Sequence, residues 1–104
     1  MLKLNCLVTL SAAVILFFSQ SVIADEALAK SKNCLACHSI DAKIIGPAFK
    51  DIAVKYKDDE GAVATLSAKV KNGGTGAWGE MPMPPNSAVS DADIEALVKW
   101  ILSL

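Results

Sequence analysis

The stretch Cys34-Leu35-Ala36-Cys37-His38 decides how the rest of this chain is interpreted. Two cysteines three positions apart, followed directly by a histidine, form the attachment pattern of a c-type haem. On a helical turn, residues three apart lie on one face, so both sulfurs can reach one edge of a planar macrocycle. The motif therefore predicts one covalent haem c, held by Cys34 and Cys37, with the His38 imidazole as a ligand of its iron.

A Cys-x-x-Cys pair can also be a redox dithiol or half of a zinc site. A thioredoxin-like dithiol would need a preceding strand and a parallel sheet, whereas the flanking residues have helix and loop patterns. A structural zinc site needs four ligands, and residues 25–104 contain two cysteines and one histidine. The sequence favours haem attachment over these two alternatives.

The first 24 residues have the layout of a secretory signal peptide, with Lys3, an apolar run over residues 7–18, and small residues up to Ala24. The apolar run is shorter than the roughly 20 residues of a membrane-spanning helix. We therefore expect cleavage after Ala24, which leaves one periplasmic domain of residues 25–104. Retention of residues 1–24 as a membrane anchor is the alternative.

The predicted domain is small and slightly acidic. Without Lys3 the chain has nine basic residues, all lysines, against 11 acidic ones, a net charge of about −2. The absence of arginine and of a basic stripe argues against nucleic-acid binding. A domain of this size builds a thin core and usually needs a staple, a metal or a cofactor. A covalently attached, largely apolar haem would meet that need.

Hydrophobic periodicity predicts helices over residues 25–37, 48–56, 62–71 and 90–104, and no strand. The last helix has the clearest apolar stripe, at Ile94, Leu97, Val98 and Ile101. We expect it to pack on the first helix, with Trp100 and Leu104 in the core. Lys32 and Asp93 are expected to pair across that contact.

Residues 73–86 contain four glycines and three prolines, with Trp78, Met81 and Met83 among them. Neither a helix nor a central strand tolerates this density, so an irregular loop is predicted. A methionine thioether is the usual partner of histidine on the iron of electron-carrying cytochromes. Met83 is the favoured ligand because prolines flank it on both sides and reduce the entropy of ordering it. Met81 is expected to pack near the haem edge.

Two features of the sequence, the Gly46-Pro47 pair and Asn86, each have both a structural and a functional interpretation. Gly46-Pro47 forms a rigid corner, which is either a simple turn or the place where the Pro47 carbonyl accepts the Nδ1 proton of His38. Asn86 is either a turn residue or a hydrogen-bond donor to the ligating sulfur. The sequence leaves both choices open.

Taken together, the motifs resemble those of the class I cytochromes c. The resemblance rests on residues 34–38, 46–48, 72–73, 78–79, 82–86 and 99–100 in this order. It is strongest to the short periplasmic monohaem type that donates electrons to haem cd nitrite reductase. It implies an all-α, small cytochrome c fold, with about four helices wrapped around one covalently attached haem.

The resemblance also implies roles for single residues. It makes His38 and Met83 the axial ligands of the iron, with the Pro47 carbonyl orienting His38 and Asn86 contacting the Met83 sulfur. It places two further groups near a haem propionate, namely Lys69 and Trp78.

Two positions depart from the family pattern. Ala29 stands where an aromatic residue is common, which suggests a looser contact between the terminal helices that Trp100 compensates. Asn33 stands where a glycine is common before the first cysteine.

The expected function is electron transfer, not enzyme catalysis. A soluble, monomeric periplasmic carrier would accept single electrons from a quinol-oxidising cytochrome complex and deliver them to nitrite reductase or a terminal oxidase. A lone histidine assigned to iron leaves no base for a catalytic triad. The alternatives are a haem enzyme or gas-binding module with a displaceable Met83, and a membrane-tethered cytochrome domain.

Overall fold

A computed structural model describes residues 11–16 and 23–104 of this protein. Within them lie four α-helices, one 3-10 turn and one β-hairpin. The elements in chain order are α1 (Glu26–Ser31), the 3-10 turn (Cys34–Ala36), α2 (Phe49–Tyr56), α3 (Ala62–Asn72), β1 (Gly74–Gly76), β2 (Gly79–Met83) and α4 (Asp91–Leu102). The four predicted helices are therefore confirmed, and the hairpin is an addition to them.

Most of the N-terminal segment lies outside the residues that the structure describes. The signal peptide predicted at residues 1–24 falls largely on residues 1–10 and 17–22, which lie outside the described residues. In the part that is described, no helix is both long enough and apolar enough to cross a membrane.

Helix α1 ends earlier than the predicted helix over residues 25–37. Asp25 caps its N-terminus, because the Asp25 side chain accepts a hydrogen bond from the Leu28 backbone N–H at 3.0 Å. Asn33 then adopts φ 63°, a left-handed conformation that ends the helix before the 3-10 turn. Asparagine adopts this conformation more readily than most residues, so it can replace the glycine that is common here. Hydrophobic periodicity does not detect one left-handed residue, and the longer helix was wrong for that reason.

Residues 74–83 form a short antiparallel hairpin, so the prediction of an irregular loop was wrong there. Gly74 is paired with Met83 and Gly76 with Gly79, with an irregularity between the two pairs. The Thr75 hydroxyl donates a hydrogen bond to the Gly79 carbonyl at 3.3 Å. A ribbon of two strands consists of edge strands, where glycine and proline are tolerated.

The hydrophobic core is thin, as the size of the domain predicts. Helix α4 packs against both α2 and α3. The buried apolar residues of the described chain are Ala29, Ala48, Phe49, Ala53, Ala62, Ile94, Leu97 and Val98. Leu104 is 41% exposed, so its predicted place in the core was wrong. It lies beyond the last turn of α4.

The first and last helices meet at a cluster of Ala29, Phe49 and Leu97, which confirms their predicted packing. Ala29 is fully buried, with 0% exposure. Trp100 packs against the same cluster, and its ring meets that of Phe49 edge-on, with 5.7 Å between the centroids and 79° between the planes. An aromatic side chain from α4 therefore packs beside the small Ala29, in agreement with the predicted compensation.

The predicted pair across this contact is also confirmed, since Lys32 Nζ lies 3.5 Å from Asp93 Oδ2. The two side chains are 34% and 22% exposed. Partly exposed pairs of this kind contribute little to stability, because solvent screens them and ordering two side chains costs entropy.

A double-mutant cycle of Lys32→Met with Asp93→Asn measures this pair. We expect a coupling free energy of about 0.5 kcal/mol in denaturant unfolding, falling as salt is added. Lys30→Met, crossed with the same Asp93 variant, is the matched control and should give no coupling. A coupling of the Lys32 cycle that equals this control would show that the pair does not stabilise the fold.

Candidate haem-binding site

The two cysteines lie on one tight turn. Cys34 begins the 3-10 turn and Cys37 follows it directly. The backbone N–H groups of Cys37 and His38 both donate to the Cys34 carbonyl, at 3.2 and 3.0 Å. In a 3-10 turn the side chains of residues i and i+3 are eclipsed. Cys37 closes this turn, so the spacing of three residues favours both thiols on one side of it, as the sequence predicts.

The environment of the Cys34 thiol differs from that of a reactive dithiol. Both cysteines are free and partly buried, and burial raises the pKa of the Cys34 thiol. Reactive dithiols have a lowered pKa, because the thiolate is the attacking form. The sheet in the described part of the chain is also antiparallel and two-stranded, not the parallel sheet that a thioredoxin-like dithiol needs. Among residues 11–16 and 23–104, no three His, Cys, Asp or Glu side chains form a group that could hold a metal ion.

The imidazole of His38 has a defined tautomer. Its Nδ1 donates a hydrogen bond to the Pro47 carbonyl at 2.7 Å. A carbonyl oxygen can only accept, so Nδ1 carries a proton, and in the neutral ring the lone pair of Nε2 is then the one that can bind a metal. The structure thus favours the functional interpretation of the Gly46-Pro47 corner.

Packing on two sides holds the ring of His38 in this orientation. A Cβ atom on Gly46 would lie 2.6 Å from His38 Cε1 and 2.9 Å from Nδ1, so nothing larger than hydrogen fits there. On another side the Phe49 ring stacks on the imidazole, with 5.1 Å between centroids and 25° between planes. Phe49 is only 2% exposed, so it cannot move aside without disturbing the core.

Phe49 lies in the helix predicted over residues 48–56, but its contact with His38 was not predicted. An aromatic residue two positions after a Gly-Pro corner was a usable signal, because the corner was already considered as a partner of His38.

The two candidate methionines differ in burial. Met83, at the end of β2, is partly buried, whereas Met81 is 67% exposed. Gly73, with φ 72°, allows the chain to come close at this point, since a Cβ there would lie 2.5 Å from the Met83 carbonyl oxygen. Met83 is thus held against the end of α3, which agrees with the choice of Met83 over Met81 as ligand.

Asn86 ties the segment after Met83 to the same helix. Its backbone N–H donates to the Val70 carbonyl at 2.9 Å. Its side-chain Nδ2 donates to the carbonyls of Val70 and Pro84, each at 3.3 Å. These bonds support the interpretation of Asn86 as a turn residue. Its contact with the Met83 sulfur stays a prediction.

Lys69 and Trp78 both belong to the surroundings of the hairpin. Lys69 Nζ lies against β1, because a Cβ on Gly74 would be 2.6 Å from it. Trp78 lies in the turn between β1 and β2 and is 41% exposed. The structure therefore brings both groups to one element, while their contact with a propionate stays a prediction.

A further residue at the hairpin was not predicted. Lys55, near the end of α2, donates from Nζ to the Ala77 carbonyl at 2.6 Å and lies 4.5 Å from the centroid of the Trp78 ring. The sequence carries no local signal for this contact, since 22 positions separate Lys55 from Ala77.

The donors at this site suit a c-type haem. Two aligned free thiols can form the thioether bonds, and a neutral imidazole with a free Nε2 can ligate the iron. The partly buried Met83 stays the predicted second ligand. Large apolar side chains lie exposed in the loop after the motif and on the hairpin, namely Ile44, Ile45, Trp78 and Met81.

Comparison with known proteins agrees with this chemistry. Residues 26–104 match the cytochrome c family. Cytochrome c-552 of Nitrosomonas europaea is 56% identical over 81 residues, which cover 78% of this chain and 79% of that protein. Cytochrome c-551 of Pseudomonas aeruginosa is 54% identical over 78 residues, covering 75% of this chain and 74% of that protein.

The fold agrees as well. The crystal structure of wild-type Nitrosomonas europaea cytochrome c552 superposes with a TM-score of 0.75 at 55% identity, covering 77% of this chain and 99% of that one. The predicted small cytochrome c fold is confirmed, with the two-stranded hairpin added to its four helices. The matched residues include the whole Cys34 to His38 motif. The chain therefore belongs to the cytochrome c family, with a covalent c-type haem as its cofactor and electron transfer, not enzyme catalysis, as its activity.

Proposed function

We propose that this chain is a periplasmic one-electron carrier in which His38 and Met83 are the axial ligands of the iron. The observation that carries the proposal is the hydrogen bond from His38 Nδ1 to the Pro47 carbonyl, at 2.7 Å. It places a proton on Nδ1, so that in the neutral ring the lone pair of Nε2 faces the metal, and it holds the ring in one orientation, as an axial ligand requires.

When bound, the haem supplies an iron that alternates between the ferrous and ferric states. The protein would hold the haem and the ligands of its iron in fixed positions. Cys34 and Cys37 would hold the macrocycle through thioether bonds, and His38, held by its contacts with Gly46 and Phe49, would ligate the iron. Ligands held by rigid contacts need to move little when the charge on the iron changes, which favours rapid transfer.

The assignment of the second ligand is supported by the contacts around Met83. Gly73 allows close approach of the Met83 backbone to α3, and Asn86 binds the segment to the Val70 carbonyl. Contacts with α3 therefore hold the chain both at Met83 itself and just after it, so Met83 is expected to keep its place on the iron. This argues against the alternative of a gas-binding module or enzyme, which needs a readily displaced ligand.

Lys69 and Trp78 would bind the haem propionates. An ammonium group and an indole N–H are both hydrogen-bond donors, and the ammonium also supplies a compensating positive charge. Both groups lie at the hairpin, Lys69 along β1 and Trp78 in the turn. In the loaded protein Asn86 Nδ2 would donate one of its two hydrogens to the Met83 sulfur, in place of its bond to the Val70 or the Pro84 carbonyl.

Redox partners dock on the exposed apolar side chains near the site. Ile44, Ile45 and Met81 are 49%, 55% and 67% exposed, and Lys43 precedes the two isoleucines in the chain. Brief redox encounters use small interfaces of this kind. By the family resemblance, the donor is a quinol-oxidising cytochrome complex, and the acceptor is haem cd nitrite reductase or a terminal oxidase.

Replacing Met83 with alanine tests the ligand assignment. We expect loss of the low-spin His/Met optical spectrum, because the iron loses its only sulfur ligand from the hairpin. The reduced Met83→Ala variant should also bind carbon monoxide rapidly at neutral pH, while the unmodified protein should not. Met81→Ala is the matched control and should keep the low-spin spectrum. If Met83→Ala keeps that spectrum and Met81→Ala loses it, the wrong sulfur has been assigned.

Replacing Gly46 with alanine tests the packing around His38. The added methyl group would lie 2.6 Å from His38 Cε1, so the ring or the backbone must shift. We expect a loss of about 1–3 kcal/mol in the free energy of unfolding, the usual cost of overpacking, together with a changed optical spectrum.

The control for Gly46→Ala is Gly61→Ala, where the added Cβ would meet only Asp59 Oδ1, at 3.3 Å. This variant should unfold and absorb like the unmodified protein. Equal behaviour of the two variants would mean that close approach of Gly46 to the imidazole is unimportant.

A further inference from the structure

Lys55 connects helix α2 to the turn of the hairpin by two contacts. Its Nζ donates a hydrogen bond to the Ala77 carbonyl at 2.6 Å. The same ammonium group lies 4.5 Å from the centroid of the Trp78 ring, within the distance of a cation–π interaction. Ala77 and Trp78 are the two residues between β1 and β2. One side chain thus binds the whole turn to a helix.

Other lysines in the described part of the chain contact carboxylates instead. Four of them lie within 4 Å of a carboxylate, in the pairs Lys32–Asp93, Lys50–Asp41, Lys71–Asp91 and Lys99–Glu95. Lys55 contacts a backbone carbonyl and an aromatic face. Contacts with dipoles and rings at short range are weakened less by salt than attraction between exposed charges. The contact of Lys55 with the hairpin should therefore persist at high ionic strength.

The hairpin needs such a contact. A two-stranded ribbon is marginally stable by itself in water, and the two strands contain Gly74, Gly76 and Gly79, which pack no side chains. At its base the hairpin is bound to α3 near Val70, through Asn86. Without Lys55, the tip of the hairpin at Ala77 and Trp78 would lose its attachment to α2. Met83 is the last residue of β2, so motion of the ribbon is transmitted to it.

We propose that Lys55 is a positioning residue, which holds the hairpin against α2 and thereby keeps Met83 on the iron. The inference rests on the proposed function, in which Met83 is an axial ligand. Lys55 does not touch the iron or its ligands in this scheme. It acts through the turn at Ala77 and Trp78, and its loss makes Met83 easier to displace.

The test is displacement of Met83 by imidazole in the ferric holoprotein, followed by the optical spectrum. We expect Lys55→Met to bind imidazole about three- to tenfold more tightly than the unmodified protein, because two weak contacts are lost. Lys55→Gln, which keeps a donor but no charge, should give an intermediate affinity. Lys55→Arg should stay within about twofold of the unmodified protein, because guanidinium both donates and stacks on rings.

Lys57→Met is the matched control, since it removes the same charge at the C-terminal cap of α2. It should leave the imidazole affinity unchanged. The difference between Lys55→Met and this control should persist at about 0.5 M salt, where the Debye length falls to a few ångströms. Denaturant unfolding of the same samples distinguishes the positioning role from a purely structural one. A purely structural role would lower the free energy of unfolding and leave the imidazole affinity unaltered.

Two results overturn the inference. One is an imidazole affinity of Lys55→Met equal to that of the unmodified protein, and the other is an equal increase in Lys57→Met. Failure of the proposed function has a different signature, because Met83→Ala would then bind imidazole no more tightly than the unmodified protein.

Discussion

The hydrogen bond from His38 Nδ1 to the Pro47 carbonyl is the interaction on which the rest of the structure depends. At 2.7 Å it determines which ring nitrogen carries the proton, and Gly46 and Phe49 hold the imidazole in the matching orientation. Phe49 also begins α2 and meets Trp100 of α4 edge-on. The site and the hydrophobic core therefore share one set of contacts. A change that loosens the packing of α2 on α4 reaches the iron ligand directly.

The two proposed ligands are held by different means. His38 is held by the buried Phe49 ring and by the close approach of the Gly46 backbone. Phe49 belongs to the hydrophobic core, the most protected part of the domain. Met83 is held by hydrogen bonds and a lysine contact at an exposed hairpin, whose strands are mostly open to solvent. Segments with few buried apolar contacts open most easily. The methionine side is therefore the one that we expect to yield first.

The sequence predicted the parts of this structure that depend on local pattern. The Cys34 to His38 motif, the four helices and the place of Met83 between prolines all follow from spacing and residue type. The left-handed Asn33 and the hairpin were missed, because one backbone angle and a pairing of glycine-rich edges leave little hydrophobic signal. Phe49 as a partner of His38 and Lys55 as a partner of Trp78 were missed because both contacts arise only when distant segments pack together.

The ring nitrogens of His38 give the most direct test of the central claim. The chain contains one histidine, so labelling with ¹⁵N-histidine yields one pair of ring signals in the reduced, diamagnetic protein. We predict a slowly exchanging proton on Nδ1, coupled through its hydrogen bond to the carbonyl carbon of Pro47, and no proton on Nε2. A proton on Nε2, or a rapidly exchanging one on Nδ1, would contradict the account.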